Sequence, residues 1–189
     1  MTAVTMMMIR KNLSIFIALV FTGGLLIFPG HRPSSAEPAL HGARVLEVND
    51  GDTVTLRFNW RNYRTRLIGI DAPELDQAPW GRKAKDRLIE LMNQTEWYVI
   101  VETDVEKRDK YGRLLAYLWT KRRELINERM ILDGQAVLFT IPPNIKYVEK
   151  FTRAERRARQ EKKGIWGPDG LKERPEDYRR QHPRMGHRF

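Results

Sequence analysis

From residue 53 to residue 58 apolar and polar positions alternate, and beyond residue 79 the apolar ones recur at helical spacing. Val45–Val48 reads as a short strand, followed by Asn49-Asp50-Gly51-Asp52 and then Thr53–Phe58, with Val54, Leu56 and Phe58 on one face. Asp-Gly between two such runs is a strong hairpin signal, under which Asp50 and Asp52 can be plain turn residues. Asn59–Asn62 makes the next turn and Tyr63–Ile70 the third strand, so the first half is an antiparallel meander. The strand runs out at Asp71-Ala72-Pro73-Glu74, because a residue before proline is pushed out of the α region. Strict alternation would send Arg66 and Asp71 to opposite faces, so a site that uses both needs a bend, and Gly69 is the residue to supply it.

After Pro79 the period changes: Trp80, Ala84, Leu88, Leu91 and Met92 recur as one face of a helix, with the tryptophan and methionine expected in the core. Trp97–Val101 and Leu114–Trp119 are the fourth and fifth strands, joined by a charged loop that reads as a solvated tip. Glu124–Asp133 is the second helix, stopped by Gly134, and Tyr147–Lys163 the third, capped by Gly164, with Ile165-Trp166 folding back as an apolar anchor. Five short strands with three helices predict an α+β domain, mainly β: a five-stranded barrel of the oligonucleotide-binding (OB-fold) architecture, with three helices packed on it. It spans residues 43–166; residues 37–42 are a linker, and from Gly167 the glycine, proline and charge predict a disordered basic tail, 167–189. Residues 1–36 pair Arg10-Lys11 with an apolar run, Leu13–Phe28, and a small-residue exit at Ser34-Ser35-Ala36, which is a secretory signal pattern or an uncleaved membrane anchor. The expected location is therefore secreted or extracytoplasmic.

Composition narrows the chemistry. There is no cysteine, no serine follows Ala36, and the histidines (His31, His41, His182, His187) fall outside the segment that reads as folded. Serine, cysteine and histidine catalysis and histidine-ligated zinc are thus excluded or left to the tails. Carboxylates, arginine, lysine, tyrosine and a hard cation remain, a set suited to phosphate esters. A formal net charge of +10 favours a polyanionic partner, nucleic acid before membrane surface.

Three separated pieces, Asp50-Gly51-Asp52-Thr53, Arg66 through Glu74, and Asp109-Lys110-Tyr111-Gly112-Arg113, resemble in order and interval the staphylococcal nuclease (thermonuclease) family. Asn127-Glu128, Gly134 and Gly164-Ile165-Trp166 are similar too, and the resemblance covers roughly residues 43–166. It implies a Ca²⁺-dependent nuclease hydrolysing DNA and RNA, single-stranded or locally melted, to products with 3′-phosphates. By the same resemblance Asp52 and Asp71 bind the calcium through side chains and Ala72, where the family usually has threonine, through its carbonyl. Arg66, Glu74 and Arg113 are the implied catalytic residues, and Lys110 and Tyr111 contact a nucleotide phosphate.

The residues suit those roles chemically. Oxygen-only ligands with water are what Ca²⁺ accepts, Glu74 can deprotonate or orient the attacking water, and two guanidiniums can fork onto phosphate oxygens. Because arginine is a poor proton donor, Arg66 and Arg113 are assigned to charge stabilisation, and the donor to the leaving oxygen is left open between Arg113 and water. One departure is that Phe139-Thr140-Ile141-Pro142-Pro143 stands where the family often has tyrosines that stack near the base. The alternative is a catalytically inactive nucleic-acid-binding barrel, whose signature would be loss of Arg66, Glu74 or Arg113; a lipid-surface protein is a third reading. No protein partner is evident, membrane contact is expected only through an uncleaved N-terminal segment, and a monomer is expected.

Overall fold

A computed structural model of the chain describes residues 41–183. The export segment and the first residues of the linker lie outside them. β1 (His41–Val48), β2 (Thr53–Phe58) and β3 (Arg61–Leu67) form the antiparallel meander, and β5 (Tyr98–Glu102) and β6 (Leu114–Trp119) complete a closed barrel in the order β1-β2-β3-β6-β5. The barrel shuts because β3 and β6 pair in parallel, Thr65 to Leu67 against Leu114 to Ala116. Strand alternation fills it: Val54, Leu56, Val99, Val101, Ala116 and Leu118 are all buried.

Helix α1 (Trp80–Gln94) buries Gly81, Ala84, Leu88, Leu91 and Met92. Trp80, expected in the core, is instead half-buried, with the Lys83 ammonium 4.4 Å from its ring centroid: at the helix entrance the indole has solvent and a cation beside it. α2 (Ile126–Leu132) packs on β6, and α3 (Val148–Gln160) seats Phe151, Ala154 and Ala158. Among the described residues no helix is long and apolar enough to cross a membrane.

Three further features differ from the sequence reading. The third strand does not run on to Ile70: β3 ends at Leu67, and Ile70–Asp71 is a separate strand, β4, paired with β7 (Val137–Leu138). His41, read as lying outside the folded body, opens β1 and stacks on Phe58 with ring centroids 6.2 Å apart. The tail expected to be disordered carries a fourth helix, α4 (Pro175–Gln181). Only Pro175 of α4 is buried, so there is no apolar period to find; polar contacts to β4, β7 and the segment before α1 hold the helix, as described below.

Candidate active site

The site is built where β3 gives way to β4. Gly69 sits between them at φ +81°, in the left-handed region that favours glycine, and a Cβ there would lie 2.4 Å from the Phe151 ring. The bend returns Asp71 beneath Arg66, as the sequence reading required. Arg66 Nη2 donates to the Ile70 carbonyl at 3.1 Å and to Asp71 Oδ1 at 2.8 Å. Nη1 of the same guanidinium pairs with Asp52 Oδ1.

Asp50 and Asp52 divide the two roles open to them. Asp50 Oδ1 accepts the Asp52 N–H at 3.0 Å and shapes the turn. Asp52 is buried, and its Oδ2 accepts the Ala72 N–H at 2.8 Å, tying the β1–β2 turn to the end of β4. Asp52, Asp71 and Ala72 are thus brought together. Asn127, fully buried on α2, fixes the bend from behind: its Oδ1 accepts the Leu118 N–H at 2.9 Å, and its Nδ2 donates to the Ile68 carbonyl at 2.9 Å and the Ala116 carbonyl at 3.3 Å.

Glu74 follows Pro73 in the connection to α1. Gln77 Oε1 accepts the Glu74 N–H at 2.9 Å, and α1 approaches so closely that a Cβ on Gly81 would stand 1.9 Å from the Glu74 carbonyl oxygen. A larger residue than glycine at position 81 would push Glu74 aside.

Arg113 reaches the cleft from the charged loop, a solvated tip whose turn is held by Asp109. Asp109 Oδ1 accepts the N–H groups of Tyr111 and Arg113, both at 2.9 Å, and its Oδ2 accepts Arg113 Nε at 2.6 Å. Partial burial raises the Asp109 carboxyl, but the Arg113 hydrogen bonds outweigh it and hold the group below the usual carboxylate range. Lys110 and Tyr111 stand exposed on the rim, with Lys110 Nζ 5.1 Å from the Tyr111 ring centroid. Phe139 also lines the cleft, whose volume is about 1050 Å³.

A third arginine completes the cluster, and the sequence reading did not find it. Arg179 of α4 donates from Nη1 to Asp71 Oδ1 and Glu74 Oε1, and from Nη2 to Asp71 Oδ2, each at 2.9 Å. Partial burial opposes its charge, yet the hydrogen bonds of Asp71 and Glu74 raise its pKa above the ordinary arginine value. For Arg66 the balance is reversed: burial lowers its pKa despite Asp71, and the nearby Arg113 and Arg179 push the same way.

The donors that could hold a metal are all oxygens: two buried carboxylates, Asp52 and Asp71, and the main chain at Ala72. Among the described residues no group of three or more histidine, cysteine, aspartate or glutamate side chains is arranged as a metal site. This set fits a hard divalent cation and does not fit zinc.

A closed five-stranded barrel carrying helices and this cleft places the chain among the oligonucleotide-binding-fold proteins. The family model described as "Staphylococcal nuclease homologue" matches residues 64–168. Thermonuclease of Staphylococcus hyicus is 34% identical over 128 residues, covering 65% of this chain and 74% of that protein. Thermonuclease of Staphylococcus intermedius is 35% identical over 127 residues, with 65% and 74% covered. Endonuclease YncB of Bacillus subtilis is 32% identical over 127 residues, with 64% and 59% covered. The chain belongs to the staphylococcal nuclease family.

Proposed function

We propose that this protein is a calcium-dependent nuclease that cleaves DNA and RNA in single-stranded or locally melted form and leaves 3′-phosphates. Family membership makes it a hydrolase of phosphodiester bonds; the metal, the residue roles and the products are the finer reading. The observation that carries it is the convergence of Arg66, Glu74 and Arg113 on one cleft with Asp52, where Arg66 also holds the buried Asp71. The inactive-scaffold alternative calls for loss of one of the first three, and all three are present.

Asp52, Asp71 and the Ala72 carbonyl would hold the Ca²⁺, with water in the remaining positions. When bound, the cation supplies charge neutralisation and Lewis-acid polarisation of the phosphodiester. Glu74 accepts a proton from the attacking water or orients it, a role worth roughly 10²–10⁴-fold. Arg66, held by Asp52, Asp71 and the Ile70 carbonyl, and Arg113, held by Asp109, meet the accumulating negative charge with guanidiniums already in place. Lys110 and Tyr111 contact a neighbouring phosphate from the rim, and the net charge of +10 adds salt-sensitive, sequence-independent affinity. The export pattern at residues 1–36 supports action outside the cytoplasm.

The test is digestion of a single-stranded oligonucleotide by the full chain with Ca²⁺ or with chelator, the fragments being weighed by mass spectrometry. Calcium-dependent cutting that leaves 3′-phosphates is expected. Salt-sensitive binding without cutting under any divalent ion would replace the nuclease with the binding barrel.

A further inference from the structure

Arg179 holds both oxygens of Asp71 with one guanidinium, and Oδ1 also accepts Arg66 Nη2 at 2.8 Å. A carboxylate offers about four lone-pair positions, and three of these are taken. The Asp71 side chain is only 1% exposed, which leaves it little room to turn toward another partner. A cation that uses Asp71 must therefore share or take an oxygen from Arg179 and stand against a like charge. The third bond of Arg179, from Nη1 to Glu74 Oε1, occupies the carboxylate to which the mechanism gives the attacking water.

The helix that delivers this arginine is one that can let go. α4 has seven residues and buries only Pro175. Its other ties are polar: Arg174 Nη2 to the Leu138 carbonyl at 3.2 Å and Gln77 Nε2 to the Glu173 carbonyl at 3.2 Å. An element with few apolar contacts opens at low free energy without unfolding the barrel. Arg179 itself keeps 38% of its side chain exposed, so its route outward is open.

We propose that Arg179 is a positioning residue of this active site that competes with the divalent cation for Asp71 and sets the cation concentration at which the site becomes competent. The proposal rests on the calcium reading above. Cation binding takes Asp71 from the guanidinium, Arg179 leaves Asp71 and Glu74 together, α4 loosens, and Glu74 Oε1 turns to water. The C-terminal helix thus ties occupancy of the metal site to readiness of the base.

The test is calorimetric titration of Ca²⁺ into the full chain without nucleic acid, for wild type, Arg179→Gln, Arg179→Lys and Asp71→Asn, with hydrogen exchange of residues 175–181 in wild type with and without Ca²⁺. Arg179→Gln should bind Ca²⁺ about tenfold more tightly, which corresponds to about 1.4 kcal/mol. Arg179→Lys, which keeps the charge without the fork, should fall between the two. Saturating Ca²⁺ should speed exchange across α4 in the wild-type chain, a readout that needs no variant to fold. Unchanged or weaker Ca²⁺ affinity in Arg179→Gln, or unchanged α4 exchange, would overturn the proposal. Binding by wild type that Asp71→Asn abolishes, with Arg179→Gln like wild type, would leave the calcium reading standing and remove the competition. Uptake by none of the proteins would end both.

Discussion

Replacing Asn127 by alanine should unfold this protein far more readily than its place outside the cleft suggests. The side chain is 0% exposed and makes three hydrogen bonds: it accepts from the Leu118 N–H and donates to the Ile68 and Ala116 carbonyls. The Ala116 carbonyl keeps a second donor, the Ile68 N–H at 2.9 Å, so alanine strands chiefly the Leu118 N–H and the Ile68 carbonyl. A buried group left unsatisfied costs about 1–3 kcal/mol, so the sum is about 2–4 kcal/mol once the surroundings relax. For a domain of this size that lowers Tm by roughly 10 °C. Urea titration of wild type and Asn127→Ala at one pH measures it. Asn127→Asp is the control: it can still accept from Leu118 but turns a carboxylate toward two carbonyls, and should be at least as damaging at neutral pH. Because Arg66 holds the Ile70 carbonyl and Asp71 independently, activity well below Tm should change little. A stability loss under about 0.5 kcal/mol, the scale of a surface change, would mean that these buried bonds do not hold the bend.

Gly69→Ala should cost about 2–5 kcal/mol, about 1–2 from the left-handed backbone and about 1–3 from the overlap with Phe151, read as a fall in the urea midpoint. A wild-type midpoint in this variant would mean that the bend is not held as described. Asp109→Asn addresses pH: the folded-state pKa of Asp109 is depressed, so its contribution is present above the unfolded value of about 3.9 and is lost as pH falls through the lower folded value. The stability gap between the proteins should therefore be full at neutral pH and close below about pH 4. A gap that persists in acid would assign the effect to packing.

Where apolar periodicity carried the information, the fold was legible in the sequence. Val54 and Leu56 alternate into the barrel, and Ala84, Leu88, Leu91 and Met92 mark the buried face of α1. The site's components were legible as motifs, and the bend at Gly69 followed from parity alone, because Arg66 and Asp71 cannot otherwise meet. What stayed hidden depends on polar contacts between distant segments. Glu102, 3% exposed, is held by Trp119 Nε1 at 2.7 Å and by the Tyr147 hydroxyl, and nothing in Tyr98–Glu102 announces it. Gln77 joins the Glu74 N–H to the Glu173 carbonyl, residues that are far apart in the chain. Helix α4 left one signal that period-counting passes over: Pro175 at its first turn, Glu176 and Asp177 following, and Arg179 and Arg180 in its last turn. That order matches a helix dipole, but it does not show what the helix rests on.

In the proposed reaction Glu74 acts on the attacking water beside a cation held by Asp52 and Asp71. Single-turnover cutting of a single-stranded oligonucleotide at saturating Ca²⁺ by wild type and Glu74→Gln, with Ca²⁺ affinity measured on the same preparations, tests it most directly. Glu74→Gln should lose about 10²–10⁴-fold in rate with Ca²⁺ binding retained. Cutting by Glu74→Gln at the wild-type rate, with its Ca²⁺ still bound, would contradict it.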